Sequence, residues 1–155
     1  MQATKVDQAV RCWVVVDASL EWAFDTFTRD IASWWPVEAF SSLAAVGLAV
    51  PDDVHLETWE HGRFSERSGA AELRLGTVLV WDPPRRLVLQ WELDSELPPT
   101  EVEVTFAPEG EDTRVDVAHG GWEFAGPDGI AGRARYAGTR GWEMVLRRFA
   151  VAAGA

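Results

Sequence analysis

The stretch TEVEVTFAPEGEDTRVDVAHG, residues 100–120, alternates apolar and polar side chains twice, with a glycine-containing loop between the two runs. Val102, Val104 and Phe106 oppose Glu101, Glu103 and Thr105; beyond PEGED, Val115 and Val117 alternate with Arg114 and Asp116. A period of two on both arms predicts an antiparallel hairpin with one dry face and one wet face. The dry row ends on His119, ahead of Gly120 and Gly121. An imidazole there has an ordinary pKa near 6.5, suited to general acid or base work. More ordinarily it is a core or cavity histidine hydrogen-bonded to a backbone carbonyl, so that no buried polar group is left unpaired. The sequence leaves both readings open.

The same alternation spreads outward. RLVLQWEL (86–93) sets Leu87, Leu89, Trp91 and Leu93 against Val88, Gln90 and Glu92, and ELRLGTVLVW (72–81) sets Leu73, Leu75, Thr77, Leu79 and Trp81 on one face. With further strands expected at 54–60 and 63–67, six strands form a meander after a first strand at 9–17. The DPPRR link (82–86) predicts a wide, stiff loop, because a proline at the second corner of a type I turn pushes its predecessor out of the helical region. Ser19 is a good N-cap for a helix carrying Leu20, Phe24, Phe27 and Ile31 on one face, and Pro36 ends the helical region. Residues 37–53 lack a clear period and suit a short helix plus loop over the sheet edge. From about residue 130 to 153 the pattern is helical, with Trp142, Leu146 and Phe149 on one side. Gly138 and Gly141 within it call for a bend or a close backbone approach. The fold class expected is α+β: a curved antiparallel sheet of about seven strands wrapped around a long C-terminal helix, with one or two short helices after the first strand.

Composition narrows the function. The 155 residues suit a single domain, 1–155. A net charge of −11 with scattered arginines speaks against nucleic acid. No apolar run reaches membrane-spanning length, and the N-terminus lacks signal-peptide character, so a cytoplasmic protein is expected. One cysteine, Cys12, forms no intrachain disulfide and fits a buried strand position. His55, His61 and His119 lack metal-ligand spacing, and neither GxSxG nor GxGxxG occurs, so no metal, cofactor or elbow nucleophile is expected. The unusual count is nine tryptophans with seven phenylalanines. Each large ring buries roughly 150–250 Å², so the chain has an oversized core or a cavity walled with rings.

AFDTFTRDIASWWP, GRFSER, GTVLVWDPPRRLVLQWEL, TEVEVTF, TRVDVAHGGW and GWEMVLRRF together resemble the START-like (SRPBCC, helix-grip) superfamily, in the branch of homologues of the heat-shock-protein-90 ATPase activator C-terminal domain. The resemblance runs from about Val10 to Phe149. It implies a helix-grip fold and a range of roles: binding hydrophobic small molecules, cyclising polyketides, sequestering toxins or assisting a chaperone. The branch usually carries two glycines before the equivalent of Arg63, where this chain has His61 and Gly62, which places His61 at a solvent-facing turn.

The preferred reading is a binder of an apolar or aromatic small molecule between sheet and C-terminal helix, leaning away from enzyme activity. Its walls are expected from Leu79, Trp91, Val104, Val117, His119, Trp142 and Leu146, with Trp35, Phe40 and Phe64 near the mouth. One alternative is a cyclase- or hydrolase-like enzyme using His119. Another is a co-chaperone-like module with a chaperone partner. The assembly state expected is monomer or homodimer. Glu57, Arg63 and Glu66 near a strand turn suit an ion pair or a polar anchor for a ligand, and Tyr136 suits either a cavity hydroxyl or a surface or core-edge position.

Overall fold

The computed structural model describes residues 9–40, 53–92, 98–124 and 128–154. Seven strands form one antiparallel sheet in the order β1-β7-β6-β5-β4-β3-β2. They are β1 Val10–Val16, β2 Asp53–Leu56, β3 Arg63–Ser68, β4 Ala71–Asp82, β5 Arg86–Trp91, β6 Thr100–Glu109 and β7 Asp112–Gly120. Helix α1, Leu20–Phe27, begins at Ser19, whose side chain accepts from the Trp22 N–H as an N-cap should. A 3₁₀ turn, Ile31–Ser33, follows it, and a second one covers Trp122–Phe124. The C-terminal helical segment runs as α2, Asp128–Ala137, and α3, Trp142–Ala153. This is the helix-grip fold: a curved sheet holding the C-terminal helical segment against its dry face.

The hairpin of residues 100–120 pairs as its alternation requires. Val104 lies opposite Val117, Phe106 opposite Val115 and Val102 opposite His119, and these side chains are all buried. Leu87, Leu89 and Trp91 continue the row across β5, while Leu93 lies outside the described residues. The apolar stripe of α3, formed by Trp142, Val145, Leu146, Phe149, Ala150 and Ala153, packs onto it.

Strand β4 departs from the expected alternation. Its register slips twice, opposite Phe64/Ser65 of β3 and between Val78 and Val80 facing β5. Each bulge adds a residue that the partner strand does not match, which reverses the face of everything beyond it. Val78 therefore turns into the core while Leu79 turns out, and Leu73 is exposed. Leu79 thus leaves the interior wall expected of it.

Two connections refine the sequence reading. The helical segment is interrupted where its glycines stand: a Cβ on Gly141 would lie 2.1 Å from the Tyr136 carbonyl oxygen, so the chain closes on itself there as no other residue allows. The link after β4 is tight, not wide. The Arg85 N–H donates to the Asp82 carbonyl at 2.9 Å across a cis Pro83–Pro84 bond, the arrangement in which a four-residue turn accepts proline at its third position. The short helix and loop expected over 37–53 fall largely outside the described residues.

His61 occupies the turn before β3 with φ 71°, its side chain in solvent. Gly62 beside it is equally constrained, since a Cβ there would lie 2.5 Å from the Glu57 carbonyl oxygen. A left-handed backbone costs a non-glycine residue roughly 1–2 kcal/mol, against which glycine loses more chain entropy on folding. Replacing His61 with Gly should therefore raise stability by about 0.5–1 kcal/mol, read as a higher urea midpoint with unchanged slope.

Candidate functional site: an aromatic interior with one buried polar chain

The core divides into two linked ring clusters. At one end Phe24, Phe27, Phe106 and Phe149 meet Trp81 and Trp34, with centroids 5.1–5.8 Å apart and mostly edge-to-face. Trp34 touches Trp35 at 5.8 Å, and Trp35 opens the second cluster through Phe40, Phe64, Trp91 and Trp142. Tyr136 stacks on Phe40, planes 7° apart, and closes this end from α2. Each such pair adds about 0.5–1.5 kcal/mol beyond the area it buries.

Polar groups run through the second cluster in a defined order. His119 is fully buried. Its Nδ1 lies 3.0 Å from Nε1 of Trp142 and its Nε2 2.7 Å from Oγ1 of Thr100. An indole nitrogen only donates, so Nδ1 must be the acceptor, Nε2 carries the proton, and the hydroxyl of Thr100 accepts it. Thr100 reaches the ring because it stands two residues before Val102, the direct partner of His119, on the same face of β6. The Trp122 indole donates to the His119 carbonyl at 2.8 Å, and the Trp91 indole to the Tyr136 hydroxyl at 3.0 Å. With Trp35, whose indole donates to the Phe40 carbonyl at 3.3 Å, four indoles spend their N–H groups within this cluster. Burial lowers the His119 pKa to about 3, so the ring is neutral at physiological pH.

The residues expected at the ligand site are placed as follows. Trp91, Trp142 and His119 converge in the second cluster, and Val104, Val117 and Leu146 lie in the adjoining core. Trp35, Phe40 and Phe64 are all buried within the cluster, with only an edge of Trp35 reaching a surface hollow beside α3. Leu79 lies on the opposite face of the sheet, in a groove with Gln90, Glu101 and Glu103. Glu57 and Arg63 come together at the β2–β3 turn, where Glu57 Oε1 accepts the Arg63 backbone N–H at 2.8 Å. Glu66 is separate from them, fully buried two residues beyond Phe64 on the same face of β3. Cys12 is only partly buried.

The sequence did not single out Thr100 or the Trp122 indole. A polar residue two positions before an inward valine was the available signal for Thr100, and the glycine that lets the chain turn back after β7 was the signal for Trp122. Among the described residues no group of three or more His, Cys, Asp or Glu is placed to hold a metal ion. None of the described helices is long and apolar enough to cross a membrane.

Residues 17–154 match the family described as activator of Hsp90 ATPase homolog 1-like protein. The chain belongs to that family. Among solved structures it is similar to Txn09, an anthrahydroquino-gamma-pyrone synthase, with 31% identity and a TM-score of 0.63 over 93% of this chain and 96% of that one. It is also similar to CalC from Micromonospora echinospora, a self-sacrificing resistance protein, with 28% identity and a TM-score of 0.67 over 97% and 98% of the two chains. The Aha1 dimer from Colwellia psychrerythraea shares the fold at 14% identity, with a TM-score of 0.63 over 93% and 94%. No curated protein matches the chain.

A histidine whose folded pKa lies below its unfolded value takes up its proton on unfolding. The unfolded state then binds more protons between about pH 3 and 6.5, and stability falls as pH drops through that window. Between pH 7 and 5 this residue alone should cost the fold about 2 kcal/mol. Denaturant unfolding of His119→Gln should lack that part of the pH slope; identical slopes in the two proteins would contradict a buried, neutral imidazole.

Proposed function

We propose that the chain binds a planar, polycyclic aromatic small molecule of polyketide type at the second ring cluster, between the sheet and the C-terminal helical segment. The observation that carries this reading is the 31% identity, over nearly the full length of both chains, with a synthase whose named product is such a ring system. The interior supports it physically. Trp35, Phe40, Phe64, Trp91, Tyr136 and Trp142 offer ring faces and edges; the indoles, the Tyr136 hydroxyl, His119 and Thr100 supply uncharged donors and acceptors, and the Arg135 guanidinium lies over the Phe40 and Tyr136 rings. Apolar walls with a few placed polar groups are the usual make-up of a small-molecule site. A ligand here exchanges ring–ring contacts within the protein for ring–ring contacts with itself, beginning with the stacked Phe40–Tyr136 pair.

The synthase relationship also favours a second reading, ring closure of a bound polyketide. In this reading His119 does not start as a free base, since both its nitrogens are engaged and its ring is held neutral. Acceleration would come from holding a flexible chain in a reactive fold, which supplies a large part of many barriers by itself. The co-chaperone reading draws on the family's description and on the Aha1 dimer at fold-level similarity, and no feature of the interior favours it.

Titration with a hydroxylated anthraquinone, followed by quenching of tryptophan emission, tests binding. Saturable quenching is expected, with affinity lowered about tenfold or more in Trp91→Leu. Native mass spectrometry of protein purified from its own host should show a retained aromatic ligand. Absence of both saturable quenching and a retained mass would overturn the reading. Conversion of a linear polyketide to a cyclised product would assign the chain to catalysis as well as binding.

A further inference from the structure

On the outer side of α3, two hollows of about 380 and 500 Å³ adjoin, sharing Ser33 and Ala152. They lie between α1, the Ile31–Ser33 turn and the last turns of α3, outside the ring cluster apart from the edges of Trp34 and Trp35. Their charge is opposite to that of the molecule. In a chain of net charge −11 the lining carries Arg29, Arg147 and Arg148 against the single acid Asp30. Arg147 and Arg148 face Glu143 and Glu38, whereas Arg29 makes no ion pair among the described residues. Two large apolar side chains stand uncovered at the same place, Trp22 at 54% and Val151 at 74% exposure.

The telling group is Thr26, which lines the first hollow. The residue is 3% exposed, yet its Oγ1 has no hydrogen-bond partner. Helical threonines commonly return their hydroxyl to the carbonyl four residues back, and Thr28 does so to Phe24 at 2.7 Å. Thr26 does not, although it lies within the helix that Thr28 caps. A buried hydroxyl without a partner costs about 1–3 kcal/mol, a cost that an acceptor in the hollow would remove once the side chain turns its oxygen, now without accessible surface, towards it.

We propose that this surface is a second binding site, for a small aromatic anion. The ring lies on the Trp22 indole and Val151, the carboxylate or sulfonate is drawn to Arg29, and the Thr26 hydroxyl donates to the ligand. A hollow of this size holds a molecule of two or three rings. The site is distinct from the interior one: it is built from α1, the Ile31–Ser33 turn and α3, and meets the ring cluster only at the edges of Trp34 and Trp35.

Titration with 8-anilinonaphthalene-1-sulfonate, followed by dye emission, tests it. Trp22→Ala should weaken dye binding about tenfold, since an exposed indole at the centre of a contact carries much of its energy. Arg29→Gln should weaken it about threefold and flatten its dependence on salt. Thr26→Val, which keeps the shape and removes the hydroxyl, should weaken binding several-fold while leaving the melting temperature equal or higher. Dye affinity unchanged in both Trp22→Ala and Arg29→Gln would place the dye elsewhere and overturn the proposal. So would a Thr26→Val protein of greater stability and unaltered affinity. Trp91→Leu, which tests the interior ligand, should leave dye binding as it is, so the two sites fail separately.

Discussion

The hydrogen bond from the Trp142 indole to Nδ1 of His119 is the contact around which this interior is arranged. It ties α3 to β7 in the dry space between them, and because an indole can only donate, it settles the state of the imidazole. The proton then stands on Nε2 and Thr100 must accept it, which adds β6 to the same chain of bonds. Losing any member strands a polar group in a sealed interior at about 1–3 kcal/mol. That cost is comparable to the contribution of a whole buried side chain, so the contact selects how the helix sits and does more than fill space.

The break in the C-terminal helical segment follows from the same requirement. Tyr136 and Trp142 are six residues apart, which on a continuous helix would place them about 120° apart around the axis. They nevertheless share one cluster, their rings 6.3 Å apart and 29° from parallel. The chain achieves this by ending α2 at Ala137 and restarting at Trp142, through a turn that leaves no room for a Cβ at Gly141. The hydroxyl of Tyr136 can then meet the Trp91 indole while Trp142 meets His119.

What could be read from the residues follows from where period-two alternation survives. In β5, β6 and β7 no bulge interrupts the pairing among them, and the rows through Leu89, Val104, Phe106 and Val115 are buried as alternation alone requires. In β4 two bulges shift the phase, and an apolar run such as Thr77–Trp81 gives no sign of it, because Val78 and Leu79 are equally acceptable inside. Leu79 was misplaced for that reason. The same limit applies to the polar chain: His119 stood out because it broke a row of valines, while Thr100 sits at a strand start where threonine is ordinary. The glycines at 138 and 141 announced a discontinuity, but its purpose depends on Tyr136, 45 residues distant from the indole it meets.

The two ends of the core differ in a way that bears on where a ligand belongs. The phenylalanine rings of Phe24, Phe27, Phe106 and Phe149 carry no hydrogen-bonding groups, and of the two indoles beside them Trp34 gives its N–H to the Thr26 carbonyl. Such an end gains only by staying closed, since opening it exposes apolar area with nothing to offer in return. Around Phe40 and Phe64, the rings of Trp91, Tyr136, Trp142 and His119 each have a polar handle already satisfied by a neighbour, and the proposed guest, if it brings hydroxyl or carbonyl groups, would take over those bonds one for one. Exchange of satisfied for satisfied bonds is nearly neutral, whereas ring contact adds to it. Neutrality of His119 matters for the same reason: a charged imidazole would demand a counterion that a polycyclic aromatic does not bring. On the proposed reading, recognition would therefore rest on shape and on hydrogen bonds to neutral groups, and any reaction there would begin from how the guest is folded.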